Sequence, residues 1–147
     1  MGKTKATLDT NILISALGWE GNPKQVFAKV LKGEIKLVIS DKHFTELERV
    51  LDYTKFQFTE EQKGRFKALV LAVATLVKPE EKIKVIKEDP DDNIVLECGV
   101  AGNVNYIVTG DPDLLKLKEF RGIKIRTPRE FLQEVNDAGA ARQIIVK

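Results

Sequence analysis

Short apolar runs suited to buried strands alternate along this chain with segments whose apolar residues recur at helical spacing. Residues 5–9 read as a buried strand that ends on Asp9. Ile12, Leu13, Ile14 and Leu17 then form the inner side of a short helix, with Thr10 or Asn11 near its cap. After a loop through Gly18 and Gly21, Pro23 suits the first position of a helix carrying Val26, Phe27, Val30 and Leu31, and Gly33 ends it. Ile35 to Ile39 is the second strand. Ser40 and Asp41 are cap candidates for a helix with Phe44, Leu47, Val50 and Leu51 on its apolar stripe. Thr59 and Gln62 make a capping box for a longer helix reaching about Val77, which Pro79 closes.

The run Ile83 to Ile86 predicts the third strand. Residues 89–93 open a helix that is apolar nearly all round from Ile94 to Ala101, the pattern of a buried helix. Residues 105–109 are the fourth strand, and residues 110–113 open a short helix with Leu114, Leu115 and Leu117. Residues 123–125 are a fifth strand. Thr127, Pro128 and Glu130 start a last helix with Phe131, Leu132 and Val135. From Gly139 onward the pattern is a tail, with Ile144 to Val146 able to add an edge strand. The expected organisation is one domain over residues 1–137, followed by a tail or edge strand over residues 138–147. Alternating strands and helices imply a parallel sheet covered by helices on both faces. In such sheets function collects at the carboxyl ends of the strands, where the strand order switches.

Composition narrows this reading. A chain of 147 residues with 43% hydrophobic content supports one ordinary core. Its longest apolar run, residues 68–77, is too short to span a bilayer, so no membrane role is expected. The single cysteine excludes an internal disulfide and a cysteine-based zinc site. No secretory leader pattern stands at the start, and a cytoplasmic location is expected. The net charge of +2 carries no strong nucleic-acid signal by itself. A basic rim around an acidic centre would also sum to near neutrality, and Lys3, Lys5, Lys24, Lys116, Lys118, Arg121, Lys124 and Arg126 could supply one.

The candidate chemistry lies in carboxylates. Asp9 ends the first strand, Asp111 follows the fourth, and Asp92 begins the helix leading into the fourth. Each alone could simply cap a helix. Together, at one sheet edge, they repel one another unless a cation lies between them. No Lys or Arg occurs in residues 8–15, 89–95 or 109–115. A hard divalent ion would neutralise them, and an all-oxygen donor set selects Mg²⁺ or Mn²⁺.

Four segments, Leu8-Asp9-Thr10-Asn11, Glu46-Leu47-Glu48-Arg49-Val50-Leu51, Asp89-Pro90-Asp91-Asp92-Asn93 and Val108-Thr109-Gly110-Asp111-Pro112-Asp113-Leu114-Leu115, occur in the order and spacing of one family. Over about residues 4–135 the chain resembles PIN-domain ribonucleases, and within them the VapC-type toxins of toxin–antitoxin pairs. Each motif is loose alone; four in order on matching elements are specific. The resemblance implies a three-layer α/β/α fold around a parallel sheet of about five strands in the order 3-2-1-4-5. It implies a metal-dependent endoribonuclease with Asp9, Glu46, Asp92 and Asp111 as catalytic acids. Asp9, Asp92 and Asp111 would be metal ligands, Glu46 would hold metal-bound water or act through it, and Thr10, Asn11 and Asp113 would support them. It also implies an RNA substrate, a cognate antitoxin and a homodimer. Periodicity does not choose between Glu46 and Glu48, nor between Asp92 and its neighbours Asp89 and Asp91; the motif chooses Glu46 and Asp92.

Other classes remain as alternatives. A PIN-fold module could bind RNA or protein without cutting. An aspartate-nucleophile phosphatase would want a second aspartate two positions after Asp9, where the chain has Asn11. One histidine excludes a paired-histidine ribonuclease mechanism within a single chain. His43 reads as a core or hydrogen-bonded residue and Cys98 as packing. Trp19 reads as a packing or contact residue, with base stacking as the alternative. Lys116, Lys118, Arg121 and Lys124 are a candidate phosphate track or a solvated face.

Overall fold

The computed structural model describes residues 3–87 and 92–146, with the side chains of the last helix described as far as residue 138. Asp89 and Asp91, the alternatives to Asp92, lie outside the described residues.

The chain begins with β1 (Thr4–Leu8), α1 (Thr10–Gly18), α2 (Asn22–Leu31), β2 (Ile35–Ser40) and α3 (Asp41–Leu51). A single 3-10 turn at Thr54–Phe56 leads into α4 (Glu60–Val73) and β3 (Ala74–Val77). Then come α5 (Asp92–Gly102), β4 (Tyr106–Val108), α6 (Pro112–Leu115), β5 (Glu119–Phe120), β6 (Ile123–Arg126) and α7 (Pro128–Val146). The caps follow the sequence. The Ser40 hydroxyl accepts from the His43 N–H, and Thr59 and Gln62 cap α4 reciprocally.

The six strands form one sheet in the order β3-β2-β1-β4-β6-β5. Pairings among β3, β2, β1, β4 and β6 are parallel, and β5 joins β6 antiparallel. The expected order therefore holds for the five parallel strands, with β6 in the fifth place. Alternate strand residues point to opposite faces. Leu37 and Ile39 enter one core with α1, α2 and Phe131 of α7, whereas Val38 enters another with α5. Gly102 at the end of α5 sits so close to Val38 that a Cβ there would lie 2.4 Å from its Cγ1. That contact draws α5 onto β2 and fixes where its first residue, Asp92, emerges.

Three expectations change. The third strand is Ala74–Val77, paired with Leu37 to Ser40, not Ile83 to Ile86. The apolar run expected to stay helical to Val77 thus splits at Val73, where Ala74 turns extended and the β-branched Thr75 and Val77 take the edge of the sheet. Ile83 and Ile86 are buried, but Val85 between them is 41% exposed, so the segment lacks the alternation of a strand. Its backbone is held by α5 side chains instead: the Ile83 N–H donates to Glu97, and Asn93 bonds both the N–H and the carbonyl of Ile86. Finally, α7 continues to Val146, over residues expected to be a tail or an edge strand.

Candidate active site

The first acid is carried out of the sheet by the β1–β4 pairing. Leu8 sits opposite Val108, and the Asp9 N–H donates to the Val108 carbonyl at 2.9 Å. One residue beyond that register, Asp9 and Thr109 face each other at the carboxyl ends of their strands. The Thr109 hydroxyl donates to Asp9 Oδ2 at 2.7 Å and accepts from the Asp111 N–H at 3.0 Å. One buried hydroxyl therefore fixes both the first acid and the backbone of the last. Asp9 Oδ1 caps α1 by accepting from the Thr10 N–H, and Asp111 Oδ1 caps α6 by accepting from the Asp113 N–H, each at 2.8 Å. Capping and site-building are thus not rival roles for these two acids.

Glu46 arrives from α3. Its carboxylate accepts from the Thr10 hydroxyl, which ties α3 to the start of α1. Glu48, its competitor in sequence, pairs with Lys67 at 3.9 Å. Asp92 opens α5 and is buried. Asp9, Thr10, Asn11, Glu46, Asp92 and Asp111 line one cleft, together with Arg49, Val50, Tyr53, Lys55 and Phe56. Among the described residues, Asp92, Asp111 and Asp113 each offer a carboxylate oxygen, all within 4.8 Å of one another. Asp113, expected as a support, therefore stands as near to Asp92 and Asp111 as a ligand does. The donor set is all oxygen and strongly anionic, which fits a hard divalent cation and not a soft one.

Sequence reasoning missed Thr109 as a site residue, although it lies within the quoted motif; the sign was a threonine at a strand end between two acids. It also missed the cations. Among the described residues, Arg49 and Lys55 are the positive side chains lining the cleft. Arg49 stands one turn after Glu46, 4.0 Å from its Oε2, and donates to the Tyr53 hydroxyl at 2.9 Å. By contrast, Arg121 is held in a two-pronged bond to Glu81, Arg126 pairs with Glu134, and Lys124 lies 5.8 Å from the Tyr106 ring centre. Lys3 and Lys5 line a hollow with Ile35 at the amino ends of the strands, away from the acids.

His43 is fully enclosed beneath this site. Burial pushes its pKa down from 6.5 to about 4, with the Leu8 carbonyl opposing the shift. It is neutral at pH 7 and packs beside Thr7 and, through Thr7, Cys98. Burial likewise raises the Cys98 thiol, so it is a packing group. Trp19 rests edge-on against Phe56 and Phe58, with centroids 6.0 and 6.2 Å away.

Thr109→Val tests the shared hydroxyl. The methyl keeps the shape of the strand end but leaves the Asp111 N–H and Asp9 Oδ2 without their bond. Denaturant unfolding is expected to show a loss of about 1–3 kcal/mol, largely restored in Thr109→Ser.

A family model described as the PIN domain matches residues 5–113. No curated protein sequence matches the chain. Among solved structures, VapBC2 from Rickettsia felis, crystallised with a DNA fragment from their promoter, is similar in fold, with a TM-score of 0.56 and 16% identity. That alignment covers 84% of this chain and 98% of the other. The family match spans most of the chain and contains Asp9, Glu46, Asp92, Asp111 and Asp113. The chain belongs to the PIN-domain family.

Proposed function

We propose that this protein is a divalent-metal-dependent endoribonuclease, the toxin of a toxin–antitoxin pair. The observation that carries the reading is the meeting of Asp9, Glu46, Asp92 and Asp111 in one cleft at the carboxyl ends of β1 and β4. Asp92 and Asp111 would hold the ion, with Asp113 as near to both and Asp9 lining the same cleft. Bound Mg²⁺ or Mn²⁺ supplies an acidified water and charge neutralisation at the phosphate. The chain's part is positional. Thr109 keeps Asp9 and the Asp111 backbone in register, and Thr10 holds Glu46 over the cleft, where it can accept a proton from the attacking water. His43, buried and neutral, takes no part.

The fold likeness to VapBC2 supports a protein antitoxin as partner. In a cleavage assay with Mn²⁺ and single-stranded RNA, Asp9→Asn is expected to reduce the rate by about 10²-fold or more. Metal-dependent cleavage that survives this substitution would overturn the assignment of Asp9. RNA bound with metal yet never cut would favour a binding module.

A further inference from the structure

We propose that Tyr53 and Phe56, with Lys55, form a subsite that stacks an unpaired base of the RNA beside the acidic cleft. The inference rests on the ribonuclease reading above and names the form of RNA that this site takes. Tyr53, Lys55 and Phe56 line the same cleft as the acids. The Tyr53 and Phe56 rings are parallel within 2°, with centroids 6.4 Å apart, and Phe58 continues the stack at 5.7 Å from Phe56. Gln57 between the two phenylalanines takes a left-handed backbone, φ 54°, which a non-glycine residue adopts at a cost. The strained turn brings Phe56 and Phe58 together, and Trp19 supports both edge-on.

The exposed end of this stack is Tyr53, at 40%. Arg49 steadies its hydroxyl. An exposed aromatic row rimmed by charge is a recognition surface more than a packing one. Its charges select the occupant. Lys55 Nζ lies 5.2 Å from the Phe56 ring centre and 6.0 Å from that of Tyr53. Rings for bases with cations for phosphates are the means by which proteins hold single strands. A duplex keeps its bases stacked inside and offers none to Tyr53.

The test separates the two readings by measuring binding without cleavage. In the Asp9→Asn background with Mn²⁺, a mixed-sequence single-stranded oligoribonucleotide is titrated by fluorescence anisotropy, alongside the same strand annealed to its complement. Adding Tyr53→Leu, which keeps an apolar side chain but no ring, is expected to weaken single-strand binding about tenfold and leave the duplex unchanged. Tyr53→Phe is expected to restore affinity within about twofold, because the ring and not the hydroxyl is the platform. Unchanged single-strand affinity in a folded Tyr53→Leu protein overturns the subsite while leaving the ribonuclease reading standing. Failure of both this parent and the wild type to bind RNA in Mn²⁺ overturns both. A Tyr53→Leu variant that binds RNA normally but loses self-association or its protein partner reassigns the row to a protein interface.

Discussion

Asp111→Asn is expected to remove the stabilisation that Mn²⁺ would confer on the wild type, without lowering the stability of the metal-free protein. The amide oxygen of asparagine can still accept the Asp113 N–H that Asp111 Oδ1 accepts now, so α6 keeps its cap. The Asp111 N–H still reaches Thr109, since that bond is made by the backbone. What disappears is one negative charge from three carboxylates lying within 4.8 Å. For a ligand bound only by the folded state, a concentration about 100-fold above Kd adds about 2.7 kcal/mol. For a chain of this size that corresponds to a rise in Tm of about 5–10 °C. Thermal melts across a Mn²⁺ series should show this rise in the wild type and none in Asp111→Asn. Cleavage of RNA by the variant should fall about 10²-fold. A wild-type Tm that stays flat through millimolar Mn²⁺ would mean that these acids hold no ion.

Acid weakens the fold in a window set by His43. Its pKa is about 4 when folded against 6.5 for the exposed side chain. Between those values the unfolded chain binds a proton that the native protein does not. Stability is therefore complete above pH 6.5, declines as pH falls, and stops declining on this account below about pH 4. The total is about 3 kcal/mol, most of it spent by pH 4.5. Lys63 holds Asp52, Arg121 holds Glu81, and the Thr127 backbone holds Glu130 below the usual carboxylate range. Those exposed groups lose their contribution only in stronger acid, below the window of the histidine. Denaturant unfolding from pH 7 to 4.5 should show the decline in the wild type and a much flatter profile in His43→Leu. Equal slopes would mean that the imidazole reaches water in the folded state.

The parts of the site that could be read from sequence are those whose position follows from strand order alone. Asp9 and Asp111 flank a pairing that any right-handed β-α-β arrangement with this order produces. Glu46 and Glu48 could not be separated by periodicity, because both border the apolar stripe; the Thr10 hydroxyl and Lys67 distinguish them in space. The third strand was hidden because α4 passes into β3 with no glycine, proline or polar break. Apolar residues predominate on both sides of Val73, and the pairing with β2 decides. Ile83 to Ile86 misled for the opposite reason: the two isoleucines are buried, but the partners of their backbone are Glu97 and Asn93 and not a neighbouring strand. The short β5 lies between Lys118, left-handed without being glycine, and a turn through Arg121 and Gly122, and its two residues are too few to show a strand's alternation. Arg49 reaches the site from α3, one helical turn after Glu46, and Lys55 only through the path of the chain after α3, which no spacing rule encodes.

The bond between Asp9 and Thr109 joins residues 100 positions apart. That separation orders events in time. A ribosome that has produced Asp9, Glu46 and Asp92 has not yet released β4, and the first acid has no hydroxyl to hold it. Closure over so long a stretch of chain is among the slower steps of folding. A chain cut short before Tyr106 carries three of the four acids but cannot assemble them. Competence is thus acquired late and all at once. If the protein is the toxin proposed above, this delay would keep unfinished copies harmless and give a restraining partner time to be synthesised.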